Sequence, residues 1–136
     1  MSPYTPPRIQ GTRILVVEDD PIIREMLGEL LTQELSYTVH LVSTGRAALQ
    51  LSMDERPDVM ILDYLLEPGM TGIEVYDQLH ARSGWQDIPA VMVSATPPWE
   101  DLRARALTCV PKPFDVDTLL SAVDRVLLLP LAVGCL

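Results

Sequence analysis

Three short apolar runs, each closing on an acidic or hydroxyl residue, limit most strongly what this chain can fold into. They are Arg13-Ile-Leu-Val-Val-Glu18, Asp58-Val-Met-Ile-Leu-Asp63 and Pro89-Ala-Val-Met-Val-Ser94. Each is too short for an ordinary helix and continuous rather than alternating, which is the pattern of a strand buried on both faces. Two shorter candidates, residues 38–42 and 108–110, read as further strands. Between the strands the apolar spacing turns helical. Asp20 suits a helix N-cap, with Pro21 at the first helical position. From there Ile22, Ile23, Met26, Leu27, Leu30 and Leu31 recur at helical spacing to about residue 35.

Further helices are expected from Ser43 or Thr44 to about residue 53, with Ala47, Ala48 and Leu51 inward, and over residues 99–107. Thr71-Gly-Ile-Glu74 reads as a capping box opening a helix whose Ile73, Tyr76 and Leu79 face inward. Asp115 caps a last helix with Val116, Leu119, Leu120, Val123 and Leu127 towards the core. Pro130 is expected to stop that helix near residue 128 or 129, because it lacks an N–H and clashes with the preceding turn. Strand and helix thus alternate five times with short connections. This predicts an open, doubly wound α/β domain with helices on both faces of a parallel sheet. Ligands of such a sheet gather at the carboxyl ends of its strands.

The organisation expected is a lead-in at 1–11, one domain at 12–129 and an apolar tail at 130–136. A hydrophobic fraction of 48% excludes a disordered chain, and a net charge of −9 argues against direct contact with nucleic acid, which needs clustered Lys and Arg. No apolar run reaches the ~18 residues of a membrane span, and residues 1–10 carry three prolines and no apolar signal core. The two cysteines, Cys109 and Cys135, are too few for a disulfide framework. A cytoplasmic protein is the simplest expectation.

The chemistry-bearing residues fall at the strand ends. Glu18 and Asp19 follow the first strand, Asp63 ends the third, Ser94 ends the fourth and Lys112 follows the fifth. Three carboxylates at neighbouring strand ends repel one another without a cation. Oxygen donors suit a small hard divalent ion such as Mg2+. An ammonium and a hydroxyl beside that ion are what a phosphoryl group needs for its oxygens. Asp63 is the natural nucleophile, because a carboxylate can form an acyl phosphate.

Alone, each feature has a plainer reading. The acidic knot at 18–20 resembles a solvated charge run, Asp63 a loop cap, Lys112 a surface lysine, Cys109 a small buried filler. His40, His80, Trp85 and Trp99 belong to no constellation. The joint occurrence at four strand ends overrides these readings. A flavodoxin-like binder would need a Gly, Ser and Thr-rich phosphate loop after the first strand. An aspartyl phosphatase would place its nucleophile there, with a second Asp two residues on. Glu18-Asp19-Asp20-Pro21 offers neither.

The chain resembles the receiver domains of response regulators over roughly residues 13–128. The resemblance is carried by Val16-Val-Glu-Asp-Asp-Pro21, Met60-Ile-Leu-Asp63, Met92-Val-Ser-Ala95 and Lys112-Pro-Phe114. It implies a five-stranded flavodoxin-like receiver fold of strand order 2-1-3-4-5, here of the stand-alone kind. It implies Glu18, Asp19, Asp63 and the Leu65 carbonyl as Mg2+ ligands, and Asp63 as phosphoacceptor. Ser94 is then the switch hydroxyl and Lys112 the phosphate partner, before a cis bond to Pro113. Leu65 and Thr96 tune the loss of the phosphoryl group, and as uncharged residues they imply a long-lived acyl phosphate.

The implied donor is a phosphohistidine on a sensor histidine kinase or phosphotransfer protein, and the output a change in protein partners. On this reading the chain is a switch and not an enzyme acting on other substrates. The alternative is a degenerate receiver that docks without phosphorylation. Three departures stand out. Pro68 and Gly72 come one residue later than usual, the stretch from Ser94 to Lys112 is about four residues short, so its helix is clipped, and the usually aromatic switch position is Cys109. Residues 126–136 carry no charge, which points either to folding back over the core or, preferentially, to a homodimer through the last helix and tail.

Overall fold

The computed structural model describes residues 11–35, 37–66 and 68–134. Its centre is a parallel sheet of β1 (Arg13–Val17), β2 (Thr38–Val42), β3 (Val59–Asp63), β6 (Ala90–Ser94) and β7 (Thr108–Pro111), in the order β2-β1-β3-β6-β7. This is the strand order that the sequence predicts. The remaining strands, β4 (Leu65–Leu66) and β5 (Met70–Thr71), form a small antiparallel hairpin after β3.

Side chains of the three central strands alternate between two cores. Ile14, Val16, Val59, Ile61, Val91 and Val93 pack on one face under α1 (Pro21–Leu35) and α5 (Val116–Gly134). Leu15, Val17, Met60, Leu62, Ala90 and Met92 pack on the other, under α2 (Gly45–Leu49), α3 (Gly72–His80) and α4 (Trp99–Ala104). Burial on both faces is why these strands are apolar at every position. The edge strand β2 is less buried, with Thr38, His40 and Leu41 exposed.

Most caps sit where the sequence places them. The Asp20 carboxylate accepts from the Ile22 and Ile23 amides at 2.9 and 3.3 Å, and Asp115 accepts from the Thr118 amide at 2.7 Å. Thr71 and Glu74 exchange the two bonds of a capping box. On α1, Leu27 and Leu31 form the buried stripe while Ile22 and Met26 face solvent. On α3, Val75 is fully buried and Tyr76 only half so, since three residues per 300° of turn carry Tyr76 past the edge of the buried stripe.

Three elements depart from expectation. The second helix stops at Leu49 because Leu51 turns into the core, and the chain resumes as a single 3-10 turn, Met53–Glu55, whose Glu55 carboxylate accepts from the Ser52 amide. The fourth helix stops at Ala104 in a Schellman motif. The Leu107 amide donates to the Leu102 carbonyl, the Ala106 amide to the Arg103 carbonyl, and Ala106 takes a left-handed φ of 55°. The clipped helix is therefore tightly terminated and tied to α3 by the Arg105–Asp77 ion pair at 2.8 Å.

Third, α5 continues through Pro130 to Gly134 instead of stopping near residue 128. Proline's fixed φ is itself helical, so the backbone can pass it at the cost of one main-chain hydrogen bond. The expected tail is thus helical backbone as far as residue 134. Its side chains from 129 onwards, on which the choice between fold-back and dimer rests, lie outside the described residues, as does the lead-in at 1–10. Among the described residues, no helix is long and apolar enough to cross a membrane.

A left-handed alanine at a helix C-cap is strained by its Cβ, which glycine lacks. Ala106→Gly is expected to raise the unfolding free energy by about 0.5–1 kcal/mol, the relief of strain exceeding the added freedom of the unfolded chain. Urea denaturation checks this, and a loss of stability would mean that Ala106 is unstrained.

Candidate functional site at the carboxyl edge of the sheet

Because β1, β3, β6 and β7 are consecutive neighbours, the residues that end them stand in a row. Glu18 lies just beyond β1, Asp63 and Ser94 are the last residues of β3 and β6, and Lys112 follows β7. The structure brings Glu18, Asp19 and Asp63 together, each with a carboxylate oxygen within 4.8 Å of the others. Lys112 reaches into this group and donates from Nζ to Asp63 Oδ1 at 3.2 Å and to Glu18 Oε1 at 3.4 Å. Glu18, Asp63 and Ser94 are buried, while Asp19 and Lys112 are partly exposed, so the cluster opens to solvent on one side.

Main-chain bonds fix each member. The Lys112 amide donates to the Ser94 carbonyl at 2.8 Å, which extends the β6–β7 ladder by one residue and sets the lysine beside the serine. The bond to Pro113 is cis. The Ser94 hydroxyl accepts from the Thr96 amide at 2.9 Å, leaving its own proton free to donate. Glu18 is held at every polar group. Its amide donates to the Val42 carbonyl, its Oε2 accepts from the Asp20 amide, its Oε1 accepts from Lys112, and its carbonyl accepts from Arg24.

Two further residues support this edge: Arg24, which sequence reasoning passed over, and Gly72, which it met only as a position in the loop and capping box. Arg24 lies on α1 and donates from Nη1 to the Glu18 carbonyl at 2.8 Å. Gly72 opens α3 so close to the end of β3 that an added Cβ would lie 2.4 Å from the Asp63 carbonyl oxygen, while its amide donates to the Tyr64 carbonyl. Contacts of this kind span the fold, and no local pattern announces them.

The other expected residues are more peripheral. Leu65 stands two residues beyond Asp63 in β4 and is 61% exposed, and Thr96 is an exposed loop residue. Cys109 lies opposite Met92 in β7 and packs against the core under α3 and α4, where burial pushes its thiol pKa upward. It is partly buried at the margin of that core.

The electrostatics show a site short of positive charge. Burial raises the Glu18 pKa from 4.5 to about 7, with the Asp63 charge adding to the rise and the Asp20 amide and Lys112 opposing it. Burial likewise raises Asp63, although Lys112 pulls the other way. Burial disfavours the Lys112 ammonium, but Glu18 and Asp63 together outweigh it and raise its pKa. Three hard oxygen donors converging on one point, too acidic a set for one ammonium to balance, fit a divalent cation.

A pH dependence follows with a definite sign. In chelator, ionising Glu18 costs folded-state stability, because its folded pKa lies above its unfolded value. That cost is absent below about pH 4.5 and complete above about pH 7. Glu18→Gln cannot ionise, so in EDTA it should melt several degrees above the parent at pH 8, with the gap closing by pH 5. A gap that stays constant across this range would show that Glu18 is not the titrating group.

Comparison with known proteins agrees with this geometry. Residues 14–124 match the response regulator receiver domain. Response regulator MprA of Mycolicibacterium vanbaalenii is 38% identical over 119 residues, covering 85% of this chain and 50% of that protein. This chain therefore spans about half the length of such relatives. Among solved structures, chemotaxis protein CheY4 of Vibrio cholerae superposes with a TM-score of 0.76 at 32% identity, over 85% of this chain and 98% of that one. Response regulator TrrA of Thermotoga maritima, solved in complex with Mg2+ and BeF, superposes with a TM-score of 0.71 at 33% identity, over the same 85% and 98%. With the family matched along most of its length and the acidic strand ends in place, the chain belongs to the response regulator receiver family of two-component systems.

Proposed function

We propose that Asp63 accepts a phosphoryl group from the phosphohistidine of a sensor histidine kinase or phosphotransfer protein, in a Mg2+-dependent reaction. The observation that carries this reading is the Lys112 ammonium shared between Glu18 and Asp63 at the mouth of a three-carboxylate cluster. A carboxylate oxygen of Asp63 attacks phosphorus, the bond to the donor nitrogen breaks with its electron pair going to that nitrogen, and the histidine, already protonated on its other ring nitrogen, leaves as neutral imidazole. Glu18, Asp19 and Asp63, with the Leu65 carbonyl, would hold Mg2+, which when bound neutralises charge on the phosphoryl oxygens.

Lys112 opposes the rise that burial imposes on the Asp63 pKa before transfer and pairs with a phosphoryl oxygen after it. The Ser94 hydroxyl, its oxygen already bound by the Thr96 amide, has a proton to donate to another. The chain on this reading catalyses only its own phosphorylation and dephosphorylation, in the cytoplasm. It signals by changing what protein it binds, which its net charge of −9 favours over nucleic acid.

Acetyl phosphate with Mg2+ should label the parent chain and leave Asp63→Asn unlabelled at an unchanged melting profile, as read by intact-protein mass. Labelling that persists in the mutant would move the acceptor elsewhere, and a parent that never labels would favour the docking-only reading.

The lifetime of the acyl phosphate is a separate matter. Neither Leu65 nor Thr96 can position water by charge, and an apolar Leu65 shields the phosphorus. The phosphorylated chain should persist for many minutes, and Leu65→Asn should shorten that. Equal decay of parent and variant would remove Leu65 from the account.

A further inference from the structure

The acidic cluster has a second cation beside it that touches none of its carboxylates. Arg24, half-buried on the first turns of α1, spends its Nη1 donor on the Glu18 main-chain carbonyl at 2.8 Å. Glu18 is the first residue beyond β1, where the ladder can no longer satisfy its carbonyl. A buried carbonyl without a donor is costly, and Arg24 supplies one. The same peptide plane carries the Asp19 amide, so fixing the carbonyl direction fixes the rotation of Asp19 about the chain. The Glu18 side chain has its own restraints in Lys112 and the Asp20 amide. Asp19 is the less buried acid of the three, and the Arg24 contact reaches it through the backbone.

We propose that Arg24 is a positioning residue of the carboxylate cluster, which locks the Glu18–Asp19 peptide so that Asp19 faces Asp63 before any cation arrives. This rests on reading Glu18, Asp19 and Asp63 as a divalent-cation site. The guanidinium donates to a carbonyl rather than to a carboxylate, so its hydrogen bond acts on the backbone, and a role as plain counter-charge is separated from this by the charge control below. α1 carries the arginine and is itself capped by Asp20, and the Arg24 amide donates to the Asp20 carbonyl at 2.9 Å. Loop and helix therefore brace each other, and the order built into the first turn of α1 is passed to the metal-facing acids. Partners of this outer kind orient metal ligands, and their loss commonly costs about 10–100-fold in metal affinity.

The test is Mg2+ binding by calorimetry, well below the melting temperature, for the parent, Arg24→Gln, Arg24→Lys and Arg105→Gln. Arg105, the residue after α4, pairs with Asp77 on α3, so its loss removes an equal charge away from the cluster. Arg24→Gln should weaken Mg2+ binding by about tenfold or more. Arg24→Lys, which keeps one donor of suitable reach, should recover much of it, and Arg105→Gln should bind like the parent. Arg24→Gln binding within about twofold of the parent, even with a lowered melting temperature, would reduce the arginine to a structural brace and overturn the proposal. Equal weakening in Arg105→Gln would overturn it too, by assigning the effect to net charge. A parent chain that binds no Mg2+ would instead sink the cation-site reading itself, and the proposal with it.

Discussion

Glu18 and Asp63 are buried at the ends of neighbouring strands, and the Lys112 ammonium lying between them is the contact on which the rest of this edge depends. Desolvation penalises each carboxylate, and mutual repulsion adds to the penalty. One lysine answers part of it. The remainder appears as a Glu18 pKa lifted to about 7 and an Asp63 pKa also raised. A protein that buries acids in this way holds stored electrostatic cost at one point of its surface. Whatever brings positive charge there, or gives the acids hydrogen bonds they lack, is favoured. The demand for a cation is thus a property of the fold, and the proposed phosphoryl transfer would make use of it.

The frame that enforces this burial is the sheet. Strands β1, β3 and β6 are apolar on both faces and end in polar residues, so a slip in register would be costly, drawing Glu18, Asp63 or Ser94 towards an apolar layer. The acids at their ends inherit that rigidity. Gly72 narrows the approach of α3 to the Asp63 carbonyl, the Thr96 amide engages the Ser94 hydroxyl, and the Lys112 amide extends the β6–β7 ladder. These contacts act on the backbone or on one fixed atom, and none of them spends the Asp63 carboxylate or the Ser94 proton.

How much of this is legible without coordinates differs from feature to feature, for physical reasons. The strands could be read because burial on two faces leaves an uninterrupted apolar run, and Asp20, Thr71 and Asp115 could be read because capping is local. The candidate acids followed from knowing where a doubly wound sheet gathers its ligands. Helix ends fared worse. The stop at Ala104 depends on an alanine accepting a left-handed φ, which its identity does not advertise, and α5 passes a proline that favoured a stop. Arg24 stayed hidden, and Gly72 was legible only as a loop position, because their value lies in contacts with a carbonyl brought near by the fold. The β4–β5 hairpin accommodates the extra residue after Asp63 by pairing Leu65 with Thr71, so the longer loop becomes structure and does not displace the strand end.

The central claim is that Glu18, Asp19, Asp63 and Lys112 make one site, in which a divalent cation and a phosphoryl group need each other. Fluorine NMR of the chain with beryllofluoride, recorded with Mg2+ and again in EDTA, tests this most directly. The account predicts bound-fluoride signals with Mg2+, their loss in EDTA, and none in Asp63→Asn under either condition. Bound signals that survive chelation, or that remain in Asp63→Asn, would contradict it.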